Sequence, residues 1–153
     1  MSPVNNMPEN NLFEKVPFSQ TQSFIDSIGQ KISESVPMRY KGYPTPQKST
    51  SYYDERPVKD SSGNLKMYLV YNISSDTSEI LNRFYFYHNK LIQAVLTKSR
   101  PHISNEFSIY YFRNDSLYCH NSNSFQCIAE DSIIKLGHLY LLNKDKTSDY
   151  RYR

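Results

Sequence analysis

The side chains able to do chemistry in this chain are few and scattered: four histidines, two cysteines and some adjacent carboxylates. His88 and His120 sit beside aromatic runs, His102 follows Pro101, and His138 lies in an apolar run near the end. Zinc sites need short fixed spacings such as His-x-x-x-His, His-Glu-x-x-His or Cys-x-x-Cys, and none occurs here. Cys119-His120 together with Cys127 offers three ligand types. Neighbours on a strand point to opposite faces, however, which divides the metal set, and nothing local supplies the orienting group and oxyanion donors that a Cys–His nucleophile pair needs. A Gly-x-Ser-x-Gly elbow, a phosphate loop and a dinucleotide fingerprint are all missing, and the chain has only four glycines. Asp54-Glu55 and Glu130-Asp131 read as a strand edge and a helix start, where acids favour the positive dipole end. No catalytic residue, metal ligand or cofactor is assigned on this reading.

Cys119 and Cys127 are separated by the polar segment His-Asn-Ser-Asn-Ser-Phe-Gln. In an oxidising compartment a Cys119–Cys127 disulfide would close a short ring worth about 2–3 kcal/mol. In a reducing one both would remain small apolar side chains. The start of the chain has neither a basic nor an apolar leader segment, and no run reaches the roughly 18 apolar residues of a membrane span. The expected location is therefore either the cytoplasm or, for a processed chain, the periplasm or cell envelope. The richness in Asn, Lys, Ile and Tyr suggests a bacterial source, and the acceptor-like triplets at Asn72 and Asn114 are discounted accordingly.

At 153 residues the chain can bury a core without disulfides or metals. Its net charge is only +3, with acids and bases interspersed, unlike the concentrated basic face of a nucleic-acid binder. Arg83-Phe84-Tyr85-Phe86-Tyr87 invites a base-stacking sheet, but the glycines that let bases approach are absent. Fourteen tyrosines and eight phenylalanines make up the 14% aromatic fraction, a composition suited to half-buried sheet and to partner surfaces.

Residues 1–12 show no apolar period and are expected to be disordered, leaving 13–153 as one domain with a polar tail. A helix is expected from Phe18, with Ser19 and Gln22 as a capping box and Pro37 as its terminator. Phe24, Ile25, Ile28, Ile32 and Val36 draw its apolar stripe. The period then changes to two. Strands are expected near Ser51–Glu55, where Pro57 restricts pairing to an edge, and over Leu65–Tyr71 beyond a Ser61–Asn64 turn. The strongest local pattern is a repeat. Tyr85-Phe86-Tyr87-His88-Asn89-Lys90-Leu91 and Tyr111-Phe112-Arg113-Asn114-Asp115-Ser116-Leu117 each read as an aromatic strand, a polar turn and a return strand. The returns run over Leu91–Lys98 and Leu117–His120, joined through Pro101–Asn105. A second helix, begun at Asp131, aligns Ile133, Leu136 and Tyr140, with Gly137 weakening it by about 1 kcal/mol.

These elements specify an α+β domain: an antiparallel meander of four to six strands with an N-terminal and a C-terminal helix on one face. Because several strands are apolar on both faces, the other face must be covered or must expose a tyrosine-rich patch. The leading functional expectation is a non-enzymatic protein-binding module, such as an inhibitor, an immunity-type protein or a cell-envelope accessory protein. It would grip a protein partner through the sheet face or the hairpin tips, with Tyr85, Tyr87, Tyr110 and Arg113 as contacts. One alternative is a small enzyme with a cleft between helices and sheet, using His88, His120 or Cys119. Another is a structural subunit that self-associates along a sheet edge. A small-molecule ligand is left open, and nucleic acid is disfavoured.

Overall fold

A computed structural model describes residues 13–35, 51–74, 76–123, 128–145 and 151–152. Six strands form an antiparallel meander in chain order: β1 (Tyr52–Lys59), β2 (Leu65–Ile73), β3 (Glu79–Tyr87), β4 (Lys90–Arg100), β5 (Ile103–Arg113) and β6 (Ser116–Ser122). A two-residue strand, β7 (Arg151–Tyr152), pairs with the outer side of β1. Helix α1 (Thr21–Ser35) precedes the sheet, and helix α2 (Glu130–Leu142) follows it. This is the α+β meander that the residue pattern specifies.

The helices do not share a face, contrary to the expectation from sequence. α1 packs Ile25 and Ile32 on Met67, Leu69, Tyr85, Ile92, Val95 and Tyr111. α2 packs Ile133 and Tyr140 on Tyr68, Val70, Phe84, Ala94, Tyr110 and Phe112, the alternate residues of the same strands. Side chains on a strand alternate sides, so the two sets lie on opposite faces. The physical reason is the aromatic content of both faces. A sheet with Phe84 and Phe86 on one side and Tyr85 on the other needs a cover on each, and the chain supplies one helix per face. The tyrosine-rich patch is core.

The two repeated hairpins are structurally equivalent down to their irregularities. Tyr85 pairs with Gln93 and Phe86 with Leu91, leaving Ile92 as an extra residue. Tyr111 pairs with Cys119 and Phe112 with Leu117, leaving Tyr118 as the extra residue. The tips, His88-Asn89 and Asn114-Asp115, hold both residues at positive φ, the requirement of a type I′ hairpin turn. Each bulge strengthens the local twist just below its turn. The β4–β5 connection is shorter than expected, only Pro101-His102, so β5 begins at Ile103. Pro57 lies in β1 opposite Tyr68, in the stretch of the strand that β7 does not pair. That is where a residue without an N–H belongs.

α1 crosses the strands rather than following them. Tyr85, Gln93, Tyr111 and Cys119 form one register row across β3, β4, β5 and β6. Ser33 meets Tyr85, Gly29 lies over Gln93, Asp26 meets Tyr111, and Gln22 meets Cys119. The helix steps back three or four residues for each strand, which is about 5.5 Å of rise against a strand spacing of about 4.8 Å. A helix laid nearly square to the strands and modestly tilted satisfies both spacings.

Both helices meet β4 through glycine. A Cβ added at Gly137 would stand 2.9 Å from Leu91 Cδ2, and one at Gly29 would stand 3.0 Å from Gln93 Oε1. Gly137, a weak residue for a helix interior, is thus the residue that permits close approach. The helix starts differ from expectation. A 3₁₀ turn, Phe18–Gln20, precedes α1, with Pro17 at its cap position and no side-chain capping bond. Ser19 lies inside that turn, so Ser19 and Gln22 do not form the expected box. α2 begins after Ala129, with Glu130 and Asp131 in its first turn. Val36 and Pro37 lie outside the described residues.

Candidate interaction surface

The meander puts the β1–β2, β3–β4 and β5–β6 turns at one end of the sheet. Lys90 Nζ reaches Asp115 Oδ2 at 3.0 Å and ties the two repeated tips together. Lys66 Nζ stands 5.2 Å from the centre of the Tyr87 ring and 3.7 Å from Asp60 Oδ2. The His88 ring lies 4.3 Å from that of Tyr87. Asp60 Oδ1 accepts the backbone N–H of Ser62 and of Asn64, which holds its carboxyl below the usual carboxylate range. The end of the sheet therefore presents two ion pairs, Lys66–Asp60 and Lys90–Asp115, with the Tyr87 and His88 rings beside them.

Arg113 sits at the same end and organises the chain before α1. Its guanidinium donates to the carbonyls of Phe13 at 3.1 Å, Val16 at 2.8 Å and Pro17 at 3.5 Å, and to Thr21 Oγ1 at 2.5 Å. It also lies 5.0 Å from the Phe13 ring centre and 5.4 Å from that of Phe18. A planar cation with five donors suits this combination of fork and stack; a lysine does not. Phe13 is buried beneath it, whereas Phe18 is 68% exposed. Phe18 nevertheless also meets Tyr118, at 4.9 Å between centroids in an edge-on arrangement. Pro17 and the 3₁₀ turn fix its backbone, with Gln20 N–H bonded to the Pro17 carbonyl at 2.9 Å.

The residues singled out from sequence divide sharply. Tyr85 and Tyr110 are core residues at 3% and 1% exposure, which leaves them no surface for a partner. Tyr85 bonds Ser33 Oγ beneath α1, and Tyr110 donates to the Ile128 carbonyl at 2.6 Å on the α2 side. Tyr87 is half-buried at the tip, and Arg113 is occupied within the chain. Both belong to the candidate surface, the second as its organiser. Sequence reasoning missed Phe18 and Tyr118. Phe18 precedes Ile25 by seven residues, so an α-helix begun at Phe18 would carry both on one face. The 3₁₀ turn, at about three residues per turn, rotates it off that face.

The candidate chemistry is kept apart by the fold. Cys119 lies on the α1 face with its free thiol 3.9 Å from Gln22 Oε1. His120 lies on the α2 face, stacked on Tyr110 at 4.0 Å between centroids. The sheet separates them, and His88 is at the tip. His102 turns between β4 and β5 at the opposite end, and His138 is on the outer side of α2. Among the described residues no group of three His, Cys, Asp or Glu side chains is placed to hold a metal ion. Cys127, the other half of the expected disulfide, lies outside the described residues. Among those residues no helix is long and apolar enough to cross a membrane. No protein-family model, no curated protein and no solved structure matches this chain.

Proposed function

We propose that this chain is a non-enzymatic protein-binding module whose contact surface is the tip end of the sheet, with Phe18 as its anchor. The reading rests on one observation. A phenylalanine that is 68% exposed is contacted by both Arg113 and Tyr118. Interface hot spots are large anchors, and an anchor ordered before binding loses little entropy when it docks. The charges of Lys66, Lys90 and Asp115 would supply orientation and rim contacts, which add more to specificity than to affinity.

The test compares affinity capture by the full chain with capture by Phe18→Ser, Tyr118→Ser and Leu142→Ser. Leu142 is 83% exposed on α2 and serves as the apolar control. A partner retained by Leu142→Ser and lost by Phe18→Ser supports the reading, with a loss of about 2 kcal/mol, roughly thirtyfold in Kd. Equal capture by all four proteins overturns it.

A second reading is self-association along β6, the end strand opposite β7. Asn123 donates its backbone N–H to the Phe107 carbonyl, which extends the ladder, so by alternation His120 turns its N–H and C=O outward. A sedimentation coefficient that rises with concentration, and stays constant when His120 is replaced by proline, favours this reading over the first.

A further inference from the structure

Successive residues of α1 meet successive strands: Ser33 meets Tyr85 on β3, Gly29 lies over Gln93 on β4, Asp26 meets Tyr111 on β5 and Gln22 meets Cys119 on β6. Each step is three or four residues back along the helix. One further step of four residues arrives at Phe18, and among the described residues β6 is the last strand on that side. Phe18 therefore stands at the margin of the sheet, beside the place where a strand beyond β6 would run at a spacing of about 4.8 Å. Its 68% exposure follows, since the described sheet puts no strand there for it to cover.

The edge itself is open to a strand. Asn123 donates its backbone N–H to the Phe107 carbonyl, so by alternation His120 and Ser122 turn their N–H and C=O groups away from β5. Donors and acceptors in that alternation are matched by an extended backbone. Edges are ordinarily guarded by charges or proline. β1 carries both Pro57 and Lys59, whereas β6, Ser116–Ser122, contains no lysine, arginine, carboxylate or proline. Its one irregularity is the bulge at Tyr118, which confines regular pairing to the stretch from Cys119 onward. Tyr118 and Cys119 both pack with the α1 core, and Tyr118 meets the Phe18 ring.

We propose that the outer edge of β6 accepts an extended peptide segment of a partner protein as the next strand of the sheet, with a large apolar side chain packed on Phe18 and Tyr118. Side chains alternate along an added strand, so the residue opposite Cys119 falls on the α1 face and the one opposite His120 on the α2 face. The apolar residue is the one opposite Cys119. The inference rests on the reading of Phe18 as the anchor for a protein partner and supplies the form of that partner.

The test uses the full chain throughout. A displayed library of random peptides about ten residues long, enough to span β6, is selected on it. The winning peptide is synthesised with a dye, and its Kd is read by fluorescence anisotropy. Binding should weaken about thirtyfold with Phe18→Ser and stay unchanged with Leu142→Ser. N-methyl groups placed on the peptide one residue at a time should weaken binding about tenfold at alternate positions, because only alternate N–H groups face β6. The positions between should tolerate them. His120→Pro should also weaken binding about tenfold, and the methyl scan gives the same answer on the unaltered protein if that variant does not fold. A flat methyl scan overturns the proposal. If Phe18→Ser still weakens binding in that case, the anchor reading stands alone; if neither matters, both fall. A selection that returns no peptide dependent on Phe18, or a dimer of the chain that excludes the peptide, overturns the proposal as well.

Discussion

Tyr111 donates its phenolic proton to Asp26 Oδ1 at 2.8 Å, across the seam between β5 and α1. The same oxygen accepts from Gln93 Nε2 at 3.2 Å. One helix carboxylate therefore joins two adjacent strands. Tyr111 is 4% exposed, so removing its charged acceptor, with Gln93 and Gln22 still bonded to the hydroxyl, should cost about 1 kcal/mol. Asp26→Ala should lower the unfolding free energy in a urea melt by that amount without altering the m-value, and Asp26→Asn should lower it by less. In an Asp26→Ala background, Tyr111→Phe should cost less than in the unaltered chain. Additive losses would show that the bond does not couple helix to sheet.

The same tyrosine predicts an alkaline limit. Burial, and then the bond to Asp26, raises its pKa from 10.0 to about 12. Burial also raises Tyr140 to about 12, with the Glu55 charge adding to the effect. Tyr68 is pushed up further still, by burial and by its bond to Glu55. In each case the folded state holds its proton more tightly than the unfolded chain. The stabilisation is whole below pH 10 and is lost as the pH rises from 10 through 12. Melting temperature should be flat to about pH 10 and fall beyond it, and less steeply in Tyr111→Phe. A fall that begins below pH 9, or one untouched by that substitution, would contradict this origin.

Arg113→Lys should behave as a loss rather than a conservative change, since one ammonium cannot serve three carbonyls and a hydroxyl while stacking on two rings. The segment from Phe13 to Pro17 should loosen while the sheet stays intact. Trypsin cleavage after Lys15 should become at least tenfold faster, with little change in the circular dichroism of the sheet. If cleavage is as slow as in the unaltered chain, Arg113 is not what holds the segment.

Two backbone positions should be open to improvement. Thr77 has φ of 68°, a left-handed conformation that a β-branched residue resists. The Ser74–Ser78 bonds around it hold the turn in place. Thr77→Gly should therefore raise stability by about 1 kcal/mol. Asp115, at φ of 66°, should also gain on change to glycine, although losing its bond to Lys90 reduces the benefit. A destabilised Thr77→Gly would mean that its side chain has a role beyond the turn.

Gly137→Val should cost about 2–3 kcal/mol in a chemical melt, because the new side chain meets Leu91 where a single Cβ already has only 2.9 Å. Gly137→Ala should lie near neutral, with improved helix propensity offsetting a displaced Leu91. Equal stability of the valine variant would show that α2 can lift off β4 freely.

The hairpins were legible because their determinants are local: two polar residues able to adopt positive φ, flanked by aromatic residues and leucine. The placement of the helices was not legible. Phe84, Tyr85 and Phe86 are apolar in succession, and no pattern within one strand says which helix covers which side. Tyr85 and Tyr110 read as recognition residues because tyrosine serves core and interface alike. Only the partners of their hydroxyls, Ser33 and the Ile128 carbonyl, reveal the buried role. The anchoring of Phe18 depends on Arg113, which is remote in sequence and so invisible to any local pattern.

β4 lies between Gly29 on one face and Gly137 on the other, with the bulged Ile92 between Gln93 and Leu91. Both helices approach β4 closely there, and neither glycine has a side chain to absorb a displacement. The two cores are therefore not independent compartments. We expect a shift of α1 against Gln93 to pass through this single bulged residue to Leu91, and so to α2 on the far side. Gly29→Ala and Gly137→Ala should consequently be non-additive although the sheet divides them. Whatever docks beside α1 has, in β4, a mechanical route to the opposite surface of the molecule.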